Sequence, residues 1–162
     1  YSDGSYHPDD ALTRAQFCKL AILTEGHGDQ AKGSAYRTRF SDVPGGGWAA
    51  PYINLACEEG LVAGYGDGRF GPDHTLTREQ LAAMLYRYAQ YKGYDVSGRA
   101  NLSGYIDAGE IGSYARPAMA WAVSSGLIHG LADARFAPRG AVTRAEAAVI
   151  LMRFCESAAD WK

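Results

Sequence analysis

The chain has 162 residues, 47% of them hydrophobic, and a formal net charge of -2 at pH 7. This length suits one compact domain or two very small ones, and the nearly balanced charge excludes the strong basic excess of a general nucleic-acid binder. The apolar runs are far too short for membrane insertion. Three cysteines without a close pair exclude a disulfide framework and a Cys-x-x-Cys zinc site.

Two short segments recur three times along the chain, which identifies an internal repeat. The first segment, Tyr-Ser-Asp-Gly-Ser-Tyr-His-Pro in its first copy, lies at residues 1–8, 65–72 and 131–138. The second, Thr-Arg-x-Gln or Thr-Arg-x-Glu, follows five residues later and begins at Thr13, Thr77 and Thr143.

A third segment occurs only twice. It starts as aromatic-x-Asp at residues 40–43 and 105–108, continues through Trp48 or Tyr114, and ends in Gly-Leu. Its missing copy belongs before Tyr1, so we interpret the chain as a fragment that holds two full repeats and the back half of another.

The first helix of each full repeat is predicted over residues 48–59 and 114–125. Each has a proline near its first turn, where a missing N–H costs little, and a glycine at its end, where a left-handed cap belongs. These residues are Pro51, Pro117, Gly60 and Gly126.

The second helix of each repeat is predicted to begin after the threonine of the Thr-Arg segment. Threonine followed three residues later by Gln or Glu is a capping box. One apolar stripe follows, so these three helices are expected to pack around a common axis. The first of them lacks the helix before Tyr1, which predicts that apolar surface near Phe17 and Leu20 is exposed or is covered by another chain.

The segments between the repeats and the cysteines complete the predicted fold. Residues 26–39 and 93–104 are polar and contain glycine, which is typical of connectors. Cys18, Cys57 and Cys155 lie in apolar helical stretches and are expected to be small core residues.

In this order, the three segments closely resemble the S-layer homology (SLH) repeat of bacterial surface proteins. The resemblance implies a mainly α fold of tandem helix-loop-helix repeats that form a pseudo-threefold bundle. It assigns the back half of one repeat to residues 1–26 and full repeats to 40–92 and 105–157. Such domains attach surface proteins to secondary cell-wall polymers, often with pyruvylated sugars, in grooves between repeats.

The arginine of the Thr-Arg segment is a candidate ligand residue in every repeat, as Arg14, Arg78 and Arg144. A cation in the first helical turn opposes the macrodipole, whereas a helix N-terminus attracts anions. Arginine also matches a carboxylate, such as that of a pyruvyl ketal, with two hydrogen bonds. The resemblance implies the same ligand contact. The alternative is a salt bridge to Asp42 or Asp107.

Two aromatic and two acidic residues are further candidates. The resemblance implies ligand contact for Trp48, and Tyr114 replaces it in the third repeat, so each ring is expected either to stack on a sugar or to pack in the core. Asp42 and Asp107 are predicted to accept backbone N–H bonds in a turn, with sugar hydroxyls as the alternative partners. Asp67 is predicted to be a turn residue.

We therefore expect an extracellular anchor of the cell wall or surface layer that binds an anionic polysaccharide. It is expected to bind no nucleic acid, insert in no membrane, need no metal or cofactor and catalyse nothing. The incomplete first repeat is expected to pair with another chain. The alternative is a protein–protein interaction module of a surface or secreted protein, and only the anchor predicts competition by a pyruvylated sugar. An enzyme would need a convergent nucleophile, base or acid pair.

Overall fold

A computed structural model of the protein describes residues 7–32, 38–158 and 161. The helices in this part of the chain are α1 (Arg14–Thr24), α2 (Gly28–Lys32), α3 (Ala50–Glu58), α4 (Arg78–Tyr91), a 3-10 helix (Ala108–Glu110), α5 (Arg116–Ser124) and α6 (Arg144–Ser157). The same residues form isolated β-bridges and no strand, which confirms the mainly α class. No helix in the described part is both long and apolar enough to span a membrane.

The capping boxes are confirmed at the start of α1, α4 and α6. At Thr77, the hydroxyl accepts a hydrogen bond from the Gln80 amide (3.3 Å), and the Gln80 side chain accepts one from the Thr77 amide (3.2 Å). Two of the N–H groups that the helix start leaves unpaired are thus satisfied reciprocally.

The first helices, α3 and α5, begin two residues later than predicted, because a turn precedes each of them. Their prolines lie in the first turn as expected. Gly60 and Gly126 follow their ends with φ of +72° and +69°, the left-handed region that favours glycine.

The chain divides into two compact units, each named here by its most exposed aromatic residue near a helix start. The Trp48 unit comprises residues 13–75, and the Tyr114 unit comprises the described residues before 13 and after 75. In the Trp48 unit, α1 of the first repeat packs on α3 of the second; in the Tyr114 unit, α4 of the second packs on α5 of the third. The packed pair therefore joins the capped helix of one repeat to the first helix of the next.

This pairing corrects the expectation that α1 lacks a partner. Phe17 is only 2% exposed because α3 covers this face of α1, while Leu20 is 39% exposed. Two further expectations are also corrected. The connector 26–39 contains α2, and its residues 33–37 lie outside the described part. Cys155 is exposed rather than in the core, while Cys18 is buried and Cys57 is half-buried. Residues 93–104 form no helix, as predicted.

A closed ring of backbone hydrogen bonds lies in the Tyr114 unit, at the residue before each cap threonine. The Leu12 amide donates to the Val142 carbonyl, the Val142 amide to the Leu76 carbonyl and the Leu76 amide to the Leu12 carbonyl, with an N···O distance of 2.8 Å in each bond. All three side chains are buried. These equivalent residues of the three repeats give the unit a local threefold arrangement, and the wider threefold bundle remains what the resemblance implies.

Candidate ligand-binding sites

The buried side chain of Arg14 binds the backbone of a loop in the Trp48 unit. Its Nε donates to the Phe70 carbonyl (2.9 Å) and its Nη2 to the Ala63 carbonyl (2.8 Å). The guanidinium also lies over the rings of Tyr65 and Phe70, with centroid distances of 4.8 and 4.5 Å. Arg14 is only 4% exposed, so its charge is directed at backbone carbonyls and aromatic faces.

Arg78 repeats this arrangement in the Tyr114 unit. Its Nε donates to the Phe136 carbonyl (2.7 Å) and its Nη2 to the His129 carbonyl (2.9 Å). Its Nη1 makes a longer contact of 3.4 Å with Glu146 Oε1. The acidic contact of Arg78 is thus Glu146, a capping-box residue, and neither Asp42 nor Asp107.

A pocket of about 370 Å³ adjoins Arg78 in the Tyr114 unit. Leu127, Ile150 and Arg153 also line it. Arg144, the third candidate arginine, is half-buried at the start of α6, where its backbone amide donates to the Asp10 carbonyl (2.8 Å).

Asp42 and Asp107 clamp equivalent loops in their respective units. Asp42 accepts the amides of Phe70 (2.9 Å) and Gly71 (2.7 Å), and Asp107 accepts those of Phe136 and Ala137 (2.8 Å each). The predicted backbone bonds are confirmed, although they reach a distant loop and not a local turn. Desolvation raises the pKa of each carboxyl, but the backbone N–H donors lower it more, so both pKa values lie below the ordinary 3.8.

Asp67 forms the predicted turn with Arg69. Its Oδ1 accepts the Arg69 amide at 3.0 Å, and its Oδ2 pairs with the Arg69 guanidinium. Within the described ranges, no group of three or more His, Cys, Asp or Glu residues could hold a metal ion.

Trp48 lies in the turn before α3 and is 56% exposed, so it is not a core residue. Lys19 of α1 extends over it, with Nζ at 5.6 Å from the Trp48 ring centroid and 5.8 Å from that of Tyr52. The Trp48 unit therefore presents two rings and an ammonium group together at its surface.

Tyr114 takes the equivalent position in the Tyr114 unit and is also 56% exposed. Its hydroxyl donates to Glu79 Oε1 (3.1 Å), while Glu79 Oε2 accepts the Gly112 amide (2.8 Å). Glu79 is 8% exposed, so a buried carboxylate fixes the aromatic residue. The two equivalent rings thus have charged neighbours of opposite sign.

Lys19, Tyr52 and Glu79 are not among the residues that the sequence singled out. Lys19 is on α1 of the first repeat, whereas Trp48 and Tyr52 belong to the second. The pairing of α1 with α3 brings them together, and the sequence pattern does not predict that pairing. The signal that could have found Lys19 is a lysine on the short capped helix where the other two repeats have Ala83 and Val149.

The chain is similar in sequence to several known bacterial proteins. An endoglucanase from Bacillus sp. is 34% identical over 91% of this chain, and a cellulosome-anchoring protein from Acetivibrio thermocellus is 28% identical over 96% of it. A surface layer protein from Brevibacillus choshinensis is 30% identical over 57%. The chain covers 15%, 34% and 8% of the lengths of these three proteins, respectively.

The model of the S-layer homology domain family matches residues 1–18, 39–82 and 105–148. These ranges contain all three Thr-Arg segments and both aromatic-x-Asp segments, and they make up well over half of the chain. The chain therefore belongs to the S-layer homology domain family.

Proposed function

We propose that this chain anchors its protein to the bacterial cell wall by binding an anionic secondary cell-wall polysaccharide with pyruvylated sugars. Membership of the S-layer homology family makes it an extracellular anchoring module of the cell surface, and the polysaccharide and its pyruvyl groups are the proposed part. The supporting observation is that one position in two repeats carries a ring that is 56% exposed, Trp48 and Tyr114. Such rings offer an apolar face to the apolar face of a sugar.

The other proposed ligand residues are the arginines and the aspartates of the repeats. Arg78 lines the pocket of the Tyr114 unit, and among the described residues its Nη1 makes only the long contact to Glu146, so we assign it contact with a ligand carboxylate. By repeat equivalence, Arg14 and Arg144 have the same proposed role. Asp42 and Asp107 are half-buried, and their oxygens retain lone pairs that can accept sugar hydroxyls.

The test is binding of the chain to purified cell wall before and after chemical removal of the pyruvyl groups. We expect strong binding to the untreated wall, competition by a soluble pyruvylated wall sugar and a large loss after the treatment. Wall stripped of its polysaccharide is the negative control. Equal binding to treated and untreated wall would disprove the pyruvyl dependence. Binding that protease digestion of the wall abolishes would indicate a protein partner instead.

A further inference from the structure

We propose that Lys19, Trp48 and Tyr52 form a subsite for one carboxylate-bearing sugar, and that the equivalent place around Tyr114 suits an uncharged sugar. This inference rests on the proposed function and adds the residues that select the charge of the ligand. It makes the two places different in specificity, although their rings are equally exposed.

The ammonium group of Lys19 is positioned by aromatic faces. Its Nζ lies 5.6 Å from the ring centroid of Trp48 and 5.8 Å from that of Tyr52, within the range of a cation–π contact. Aromatic faces attract a cation without neutralising it, and Lys19 is exposed, so its full charge remains available to a ligand anion.

The two rings suit a sugar beside that charge. Trp48 lies in the turn before α3 and Tyr52 in the first turn of α3, and their ring centroids lie 5.6 and 5.8 Å from the same Lys19 Nζ. A sugar ring on Trp48 would bring a carboxylate substituent to Lys19, which offers three N–H donors. A neutral sugar would keep the stacking and lose the charged hydrogen bond.

Each member of the subsite is replaced in the Tyr114 unit. Tyr114 takes the place of Trp48, while Ala118 and Ala83 take the places of Tyr52 and Lys19 and are buried. Glu79 is a charged neighbour of Tyr114, and its Oε1 accepts a hydrogen bond from the tyrosine hydroxyl at 3.1 Å. A carboxylate at this distance repels an anionic ligand, so the place favours an uncharged sugar.

The experiment measures how strongly the chain prefers a charged sugar. A pyruvylated monosaccharide from the wall polymer, and the same sugar after removal of its pyruvyl group, are titrated into wild type, Lys19→Gln and Lys19→Arg. The matched control is Lys92→Gln, since Lys92 is also exposed and lies 5.9 Å from the ring centroid of Tyr88. Thermal unfolding verifies that every variant is folded.

We expect Lys19→Gln to weaken binding of the pyruvylated sugar by about tenfold or more and to leave the neutral sugar unchanged. Lys19→Arg should retain most of the preference, and Lys92→Gln all of it. A Lys19→Gln protein that keeps the wild-type preference would overturn the subsite alone. A wild type that shows no preference would overturn the proposed pyruvyl recognition and the subsite with it. Tyr114→Ala should weaken the neutral sugar more than the pyruvylated sugar, and an equal loss or a larger loss for the pyruvylated sugar would overturn the assignment around Tyr114.

Discussion

The surroundings of Trp48 and Tyr114 differ, whereas the residues that hold their units together are the same. Each unit has a buried arginine bonded to two loop carbonyls and an aspartate bonded to two loop amides. The groups next to the exposed rings are Lys19 in one unit and Glu79 in the other. The recurring motif residues thus satisfy backbone groups, and the proposed difference in ligand chemistry depends on residues outside the motif.

The largest expected effect is on stability and tests the shared part. Arg14→Ala and Arg78→Ala should each lower the free energy of unfolding by about 3 kcal/mol, because each leaves one buried and one partly buried carbonyl without a donor. Arg69→Ala is the matched control: its ion pair with Asp67 is exposed, so no measurable loss of stability is expected. Denaturant unfolding measures all three. If only one of the two substitutions lowered the free energy of unfolding, the two buried arginines would not have the same structural role.

The next effect is on binding and tests the difference between the two rings. Trp48→Ala should weaken affinity for the pyruvylated wall polysaccharide by about 2 kcal/mol, roughly thirtyfold, because a large contact face is lost. Tyr114→Ala should cost about half as much, since the described charged group beside Tyr114 is the carboxylate of Glu79 and not an ammonium group. Tyr91→Ala removes a ring that is 57% exposed elsewhere and should leave affinity unchanged. Equal losses for Trp48 and Tyr114 would remove the functional difference between the units.

A smaller effect is expected at Thr77, where loss of the helix cap should lower stability without changing ligand affinity. Thr77→Ala should lower the free energy of unfolding by about 1 kcal/mol, because the Gln80 amide loses its acceptor. Thr77→Ser keeps the hydroxyl and is the matched control. Isothermal titration with the wall polysaccharide should show little change for either variant. A Thr77→Ala protein of wild-type stability would contradict the capping role.

Asp42 and Asp107 should make the free energy of unfolding depend on pH, with an effect of similar size. Their folded pKa values lie below 3.8, so their contribution to stability is present above that pH and is lost as the pH falls through the folded values. Asp42→Asn should cost about 1 kcal/mol at neutral pH and make the acid side of the stability profile shallower. Asp95→Asn is the control, because Asp95 has a lowered pKa through Ser97 in an exposed segment and clamps no distant loop. Equal acid profiles for wild type and Asp42→Asn would exclude the clamp as a source of pH dependence.

Local patterns predicted most of the helices but not their partners. The capping boxes and the glycines after α3 and α5 depend on neighbouring residues alone, so the sequence was sufficient for them. The pairing of α1 with α3 involves residues from different repeats, and a single apolar stripe does not specify which helix covers it. For this reason Phe17 was expected at the surface and is buried.

The same limit applies to the candidate sites. The sequence indicated that the arginines need a partner to offset the helix dipole, but backbone carbonyls of a distant loop leave no pattern in the side chains. The exposure of Trp48 and its contact with Lys19 likewise result from tertiary packing. The repeat positions of the candidates were therefore predictable, and the charge beside each ring was not.

The smallest effect concerns two equivalent loop positions, Gly68 and Ala134. Both have positive φ, +83° for Gly68 and 58° for Ala134, in the left-handed region that costs an alanine about 1–2 kcal/mol. Ala134→Gly relieves this strain but adds about 0.4–1 kcal/mol of chain entropy to the unfolded state, so a net gain of about 0.5 kcal/mol in stability is expected. Gly68→Ala should cost about the same amount, because a Cβ there meets no atom within 4 Å and only the backbone conformation is strained. Thermal unfolding of both variants measures the pair, and polysaccharide affinity should not change in either. If Ala134→Gly destabilised the protein, backbone strain would not distinguish the loop of the Tyr114 unit from that of the Trp48 unit.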